Sequence, residues 1–401
     1  MKAMILCAGK GTRLRPLTYA TSKPMIPLVD KPVMQHIIEH LKVHGVDELA
    51  VNLSYMPDKI HDYFRDGSAF GVNMFYSYEG NFKEGIFEGT AIGSAGGLKK
   101  IQDETGFFDD TFVVLCGDAA VNLDLTALVK QHKERGALAS IVLKEVDKSD
   151  VSKYGVVALT PEGRITKFQE KPEPEDAVST TANTGIYIFE PEVLNHVPSS
   201  VEFDLGGDLF PILAEKGVEF YGAVDAFDWI DIGNIKDFRA ATEHLLTNLP
   251  EGMSIPGEEV RPGVFVGPNV NADWDAINIE GPVYIGGGSK IADGARLIGP
   301  TVLGANCNVE SHAIVHQSTL GDHVRVRRNT LLTRAIVFGG YMINEKGQSE
   351  KLKTGGAISD AREAETETTS AQEYAVADLG IIDRMVVSNW LSQDRLDKVA
   401  S

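Results

Sequence analysis

From Met1 to about Thr247, short apolar runs alternate with amphipathic stretches. Ala3–Cys7, Glu48–Asn52, Met74–Tyr78, Thr111–Leu115 and Ala139–Leu143 have the length and apolar content of buried strands, whereas Val33–Val43, Pro57–Phe64 and Leu125–Arg135 carry apolar residues at helical spacing. Such alternation predicts an α/β protein, with a largely parallel sheet covered by helices on both faces in three layers. Ligands of such sheets bind beyond the carboxyl ends of the strands, where the strand order reverses. The loops after Cys7 and Leu115 are therefore expected to carry the chemistry.

Past Asn248 the pattern changes. Pro250-Glu251-Gly252 and Arg261-Pro262-Gly263 read as a linker over residues 249–262. Then Ile279, Ile285, Ile291, Leu297, Leu303, Val309 and Val315 recur every six residues, and after a slip of one residue Ile314, Leu320, Val326 and Leu332 continue the series. Aliphatics at a six-residue period, separated by Gly and small polar residues, predict a parallel β-helix over 263–340, each hexapeptide forming one side of a triangular coil. Residues 341–401 read as a polar tail, nearly low in complexity at Glu363-Ala364-Glu365-Thr366-Glu367-Thr368-Thr369-Ser370 and ending in a helix over Glu373–Val399. With 1–248 as one domain, this division suits 401 residues at roughly one domain per ~150.

Composition narrows the function. The chain has 43% hydrophobic and 24% charged residues and a net charge of −19, with no basic cluster to follow a nucleic-acid backbone. No window approaches the ~20 apolar residues of a membrane span. The opening is strand-like rather than a charged-then-apolar leader, so no membrane, no nucleic acid and a cytoplasmic location are expected. Cys7, Cys116 and Cys307 are too few and scattered for a disulfide framework or zinc site. Cys7 and Cys116 both end strands and would lie near each other, which leaves a redox pair open beside the reading as two small hydrophobes.

The loop after Cys7 reads Ala8-Gly9-Lys10-Gly11-Thr12-Arg13-Leu14-Arg15-Pro16-Leu17-Thr18, followed by Ser22-Lys23-Pro24-Met25. Gly9 and Gly11 let backbone N–H groups close on phosphate oxygens, and Arg13 and Lys23 add positive charge. The third glycine of a dinucleotide fingerprint and the Gly-Lys-Ser/Thr of a Walker loop are both missing. A triphosphate fits better.

The run Gly-x-Gly-Thr-Arg-Leu-x-Pro-Leu-Thr resembles the sugar-1-phosphate nucleotidyltransferases. So do Gly93-Ser94-Ala95-Gly96-Gly97, Leu115-Cys116-Gly117-Asp118, Phe168-Gln169-Glu170-Lys171-Pro172, Asn183-Thr184-Gly185, Asp204-Leu205-Gly206-Gly207-Asp208 and Trp229-Ile230-Asp231-Ile232-Gly233. The resemblance covers Met1 to about Thr247, and Ile255–Gly339 match the β-helix that many members carry. It implies a Rossmann-like three-layer nucleotidyltransferase domain followed by a left-handed parallel β-helix of hexapeptide repeats. Within the family the pattern is most similar to the cyanobacterial type of UDP-glucose pyrophosphorylase, with the mannose-1-phosphate guanylyltransferases next.

The implied reaction joins a nucleoside triphosphate to a sugar 1-phosphate and releases pyrophosphate. By resemblance, Ala8, Gly9, Gly11, Thr12, Arg13, Lys23, Glu79 and Gly93 bind the nucleotide, and Gly155, Glu170, Lys171, Asn183 and Thr184 bind the sugar phosphate. Arg13, Lys23 and Lys171 are the expected catalytic cations. Asp118 closes an apolar strand, where a carboxylate at the sheet rim can hold a hard cation. With Asp231 it forms the implied Mg2+ pair, because magnesium takes one or two carboxylates together with phosphates and water. For the base, a Glu79 carboxylate suits the paired N–H donors of guanine, whereas the whole-sequence likeness and the long Gly80–Ile92 loop favour UTP. UTP with glucose 1-phosphate ranks first, GTP with mannose 1-phosphate second.

Other readings compete. A catalytically silent regulatory subunit would show erosion of Arg13, Asp118, Lys171 or Asp231, and all four stand. His312, His316 and His323 could serve an acyl-transferring β-helix, but the hexad run is short. Oligomerisation of identical chains through that half, or an allosteric role for it, is the simpler expectation. His36, His40 and His44 recur every four residues beside the apolar Val33, Ile37 and Leu41, which reads as a solvated helix flank rather than a metal site.

Overall fold

The computed structural model describes residues 1–363, so the helix expected over Glu373–Val399 lies outside the described residues. The chain divides into two units. The first comprises Met1–Thr12, Thr21–Met25 and Val33–Asp231. Its central strand, Lys2–Leu6, pairs in parallel with Glu48–Leu53 on one side and Phe112–Cys116 on the other, and Glu48–Leu53 pairs in parallel with Asn73–Tyr78. The strand order reverses at Lys2–Leu6, so a crevice is expected beyond Leu6 and Cys116. Both loops singled out from the sequence start there.

Beyond Phe112–Cys116 the sheet turns mixed. Thr181–Phe189 runs antiparallel to it and also to Ala139–Glu145, which in turn pairs in parallel with Phe220–Val224. No crossover helix joins Ala139–Glu145 to Thr181–Phe189. The link is instead the antiparallel pair Gly155–Leu159 and Ile165–Glu170, and antiparallel neighbours need no crossover. The core beneath is apolar and rich in aromatics: Met4, Val114, Ile141, Phe112, Phe189, Phe210 and Phe220 are wholly buried. Helix Ser94–Thr105 turns Ala95, Leu98 and Ile101 into it, each of the larger two worth roughly 1.5–3 kcal/mol of burial.

Helix Val33–Val43 corrects one expectation. His36 is only 5% exposed, and burial, with His44 beside it, lowers the His40 pKa to about 4. Two of the three histidines thus sit off the solvated flank, with His40 kept neutral by desolvation.

The second unit comprises Arg13–Ala20, Ile26–Pro32 and the chain from Ile232 onward. Helix Ile235–Thr247 starts at Asn234, whose side chain accepts from the Lys236 and Asp237 N–H groups at 2.9 and 3.0 Å. The β-helix follows. Three ladders of short parallel strands stack coil on coil, such as Val264–Val266, Val283–Ile285 and Thr301–Leu303 on one side. Ile285, Ile291, Leu297, Leu303, Val309 and Val315 all point into one core.

The slip in the repeat lies one step later than the sequence suggests. Val315 pairs with Leu332 and Leu303 with Leu320, while Ile314 is only half-buried. The corner Gly299-Pro300-Thr301 between paired strands shrinks to Gln317-Ser318 in the next coil, with Gln317 in the left-handed region at φ 47°. His312 and His323 also occupy left-handed corners, at φ 59° and 58°. Part of the expected polar tail is ordered: Tyr341–Ile343, Ser349–Lys351 and Ile358–Asp360 are strands, the last pairing antiparallel with Val324–Val326. Among the described residues no helix is long and apolar enough to cross a membrane.

Candidate active site

The glycine-rich loop leaves the central strand under restraint and then opens. The Cys7 N–H donates to Asn52 Oδ1 at 2.8 Å, and Ala8 is buried. A Cβ on Gly9 would meet nothing within 4 Å, so its backbone faces open space. Gly11 takes φ 58°, a turn that suits glycine. Thr12 and Arg13 are exposed in the single turn Thr12–Leu14.

The second loop brings a carboxylate to the same strand ends. Gly117 donates to Leu6 O at 3.0 Å, and a side chain there would run into Cys7 Sγ at 2.8 Å. Glycine lets the chain tuck against the root of the glycine-rich loop. Asp118 follows at once and forms an ion pair with Lys23. Asp231 ends the strand Trp229–Asp231 and pairs with Ala119, the residue after Asp118. Paired antiparallel Cα atoms stand ~4.5–5.5 Å apart, so the two aspartates are within one residue's reach. The Cys116 thiol is pushed well up, first by desolvation and then by Asp118, with Asp231 adding to the effect.

Among the described residues no three His, Cys, Asp or Glu side chains cluster as a metal cage. Two carboxylates at an open rim, one of them already facing the Lys23 ammonium, match a hard ion that draws its remaining ligands from phosphate and water. The residues fit.

Cys7 and Cys116 do not face each other. Leu6 pairs with Cys116, and side chains alternate across a strand, so Cys7 takes the opposite face, with its Sγ 3.8 Å from Met34 Sδ. Both are free thiols raised above their ordinary pKa by burial. They behave as small hydrophobes.

Among the residues expected at the sugar phosphate, Gly155 and Glu170 are register partners. A Cβ on Gly155 would lie 3.0 Å, and one on Gly206 2.7 Å, from Glu170 Oε2, so this carboxylate occupies a slot that two glycines leave open. Lys171 sits at φ 46°, its N–H donating to Tyr154 O at 3.1 Å and its ammonium paired with Glu170. Asn183 accepts from the Gly185 N–H at 2.9 Å and donates to the Tyr187 hydroxyl at 3.0 Å. Thr184 departs from expectation. It is 3% exposed and its hydroxyl donates to Val142 O at 2.8 Å, because neighbours along a strand face opposite ways. Its side chain is spent inside the sheet.

Glu79 also departs from expectation. It is 1% exposed, with Oε1 accepting from Asn52 Nδ2 at 2.8 Å and Oε2 from the Ile92 N–H at 3.1 Å. Burial raises its pKa, against the pull of these two bonds. Through Asn52 it ties the Cys7 end of the glycine-rich loop to the Ile92-Gly93 turn. Gly93, at φ 79°, would drive a Cβ to 2.3 Å from Phe203 O.

Sequence reasoning missed two supports. Asn52 lies within an apolar strand that gives no sign of its two bonds. Asp204 accepts from the Gly206 and Gly207 N–H groups at 2.9 and 3.1 Å and from the Ser94 hydroxyl at 2.9 Å. An Asp before a short helical turn is a readable capping signal.

The sequence profile of the Nucleotidyl transferase family matches residues 2–248. The chain belongs to that family. A UTP–glucose-1-phosphate uridylyltransferase from Synechocystis sp. is 50% identical over 93% of this chain and 97% of its own length. A mannose-1-phosphate guanylyltransferase from Mycobacterium tuberculosis is 30% identical over 83% of both. A Bacillus anthracis structure, provisionally described as a glucose-1-phosphate thymidylyltransferase, superposes with a TM-score of 0.53 at 26% identity, covering 64% of this chain and all of that one.

Proposed function

We propose that this protein makes UDP-glucose and pyrophosphate from UTP and glucose 1-phosphate. What supports the reading most is a 50% identity to a uridylyltransferase over 93% of the chain, in a fold where Asp118 and the register partner of Asp231 follow the strand that pairs with the one leading into the glycine-rich loop.

In this reading the backbone N–H groups of Ala8–Thr12 hold the triphosphate, with Arg13 and Lys23 balancing its charge. Lys171 holds the phosphate of glucose 1-phosphate, and Glu170 accepts from sugar hydroxyls, with Gly155 leaving room for that carboxylate and Asn183 lining the sugar pocket. A divalent ion, Mg2+ being the natural one, would be held by Asp118 and Asp231 and would supply charge shared by the two substrate phosphates. An oxygen of the sugar phosphate attacks the α-phosphorus, its new P–O bond forming as the bond to pyrophosphate breaks. Such transfer asks the protein for alignment and charge stabilisation, not for a covalent intermediate.

The environment of Glu79 supports uridine. It is buried and its two oxygens already face Asn52 and Ile92, so it does not present an acceptor to guanine. Glu79→Gln is expected to weaken the loop by about 1–3 kcal/mol, because an amide NH2 would face a donor. The UTP-to-GTP preference should stay the same, and a matched pair of melting curves and kcat/KM ratios checks both.

The test of the whole reading is a pyrophosphate-release matrix of four nucleoside triphosphates against glucose, mannose, galactose and N-acetylglucosamine 1-phosphates. UTP with glucose 1-phosphate should dominate. Dominance of GTP with mannose 1-phosphate would replace the substrates but keep the reaction.

A further inference from the structure

The two aspartates are carried by a very short ribbon. Ala119–Val121 and Trp229–Asp231 pair with each other and with no further strand among the described residues. A two-stranded ribbon is marginal on its own, and Ala119 and Ala120 add little cross-strand packing. The register nevertheless matters. A slip of one residue would carry Asp231 ~3.4 Å along the ribbon and turn its side chain to the other face, whereas a preorganised site tolerates displacements of only about 0.5 Å.

The end of the ribbon away from the aspartates is locked. One step beyond its last pair, Trp229 with Val121, stand Asp228 and Asn122, both half-buried. Asn122 Nδ2 donates to Asp228 Oδ2 at 2.9 Å, and the Asp228 N–H donates to Asn122 Oδ1 at 2.7 Å. The residue before Asp228 is tied to the main sheet, since Lys144 of the strand Ala139–Glu145 donates to Phe227 O at 2.6 Å, and its ammonium lies 5.3 Å from the centre of the Phe227 ring. Neither Asn122 nor Asp228 has a part in the proposed reaction, which leaves the lock with no chemical use of its own.

We propose that Asn122 and Asp228 are positioning residues for the divalent ion: their paired bonds hold the ribbon register that sets Asp231 beside Asp118. The inference rests on the metal reading of Asp118 and Asp231 above. The path is short, since Ala119–Val121 and Trp229-Ile230 are all that separates the lock from the two carboxylates.

The test is Mn2+ binding to the full chain, read by electron paramagnetic resonance with UDP-glucose present, with a melting curve for each variant. Asn122→Ala removes both bonds and should weaken Mn2+ about tenfold, the low end for losing a group that orients metal ligands. Asn122→Ser keeps an acceptor oxygen; it should move the affinity in the same direction and serves if Asn122→Ala does not fold. Combining Asn122→Asp with Asp228→Asn reverses the side-chain bond, keeps the acceptor for the backbone N–H and leaves the total charge unchanged. In that exchange the affinity should return to within about twofold of the wild type, as expected if the coupling lies in the pair. A lock that served stability alone would lower the melting temperature and leave Mn2+ binding untouched. Wild-type affinity in the folded Asn122 variants, or an exchange variant as weak as Asn122→Ala, overturns the proposal while Asp118→Asn and Asp231→Asn still lose the ion. If those two bind Mn2+ like the wild type, the metal reading itself falls and the inference with it.

Discussion

Asp118→Asn is expected to lower kcat by at least ~10²-fold, the scale for losing one group that stabilises transition-state charge, while the fold persists. The substitution keeps the shape of the side chain and removes its charge where Asp118 pairs with Lys23, one residue from the register partner of Asp231. Two anionic substrates must approach within a chain of net charge −19, so the loss falls on the step that brings their phosphates together. Initial rates at saturating UTP and glucose 1-phosphate, with a melting curve as control, check it. Near-normal turnover in Mg2+ would remove Asp118 from the centre.

The second large effect is expected at Lys171. Lys171→Ala should raise the KM for glucose 1-phosphate by about 10–100-fold, the range for one charge-assisted hydrogen bond at roughly 1.5–3 kcal/mol, and leave the KM for UTP nearly unchanged. The left-handed backbone at Lys171 and its N–H bond to Tyr154 O fix where the stem begins, and the pair with Glu170 sets the ammonium beside the glycine-lined slot. The separation of the two KM values is the measurement. Equal rises for both substrates would point to a general loss of charge rather than to a sugar-phosphate contact.

How much of this was legible in the sequence depended on whether the signal was local. The Gly9–Gly11 loop, the strand-ending Asp118 and the hexad aliphatics are local patterns, and the fold shows the loop and strand end at the reversal point and the aliphatics in the β-helix core. The mixed half of the sheet was not legible, because Gly155–Leu159 and Ile165–Glu170 replace a crossover helix with a hairpin without changing the apolar pattern. The setting of Glu79 was not legible for a similar reason. Its partners, Asn52 and Ile92, lie 27 and 13 residues away, and only the paired strands bring them together. Thr184 could have been set apart from Asn183 by strand alternation alone. The slip at Gln317 shows the limit of a repeat as a ruler, since dropping one corner residue moves the register but leaves the period nearly intact.

The shared aspartate site is the claim on which the rest depends, and binding of Mn2+ in place of Mg2+, followed by electron paramagnetic resonance with UDP-glucose present, tests it without turnover. One tightly held ion per chain is expected in the wild type, with affinity falling at least ~10-fold in both Asp118→Asn and Asp231→Asn, as loss of one of two carboxylate ligands requires. Equal Mn2+ binding by the wild type and both variants would contradict the account.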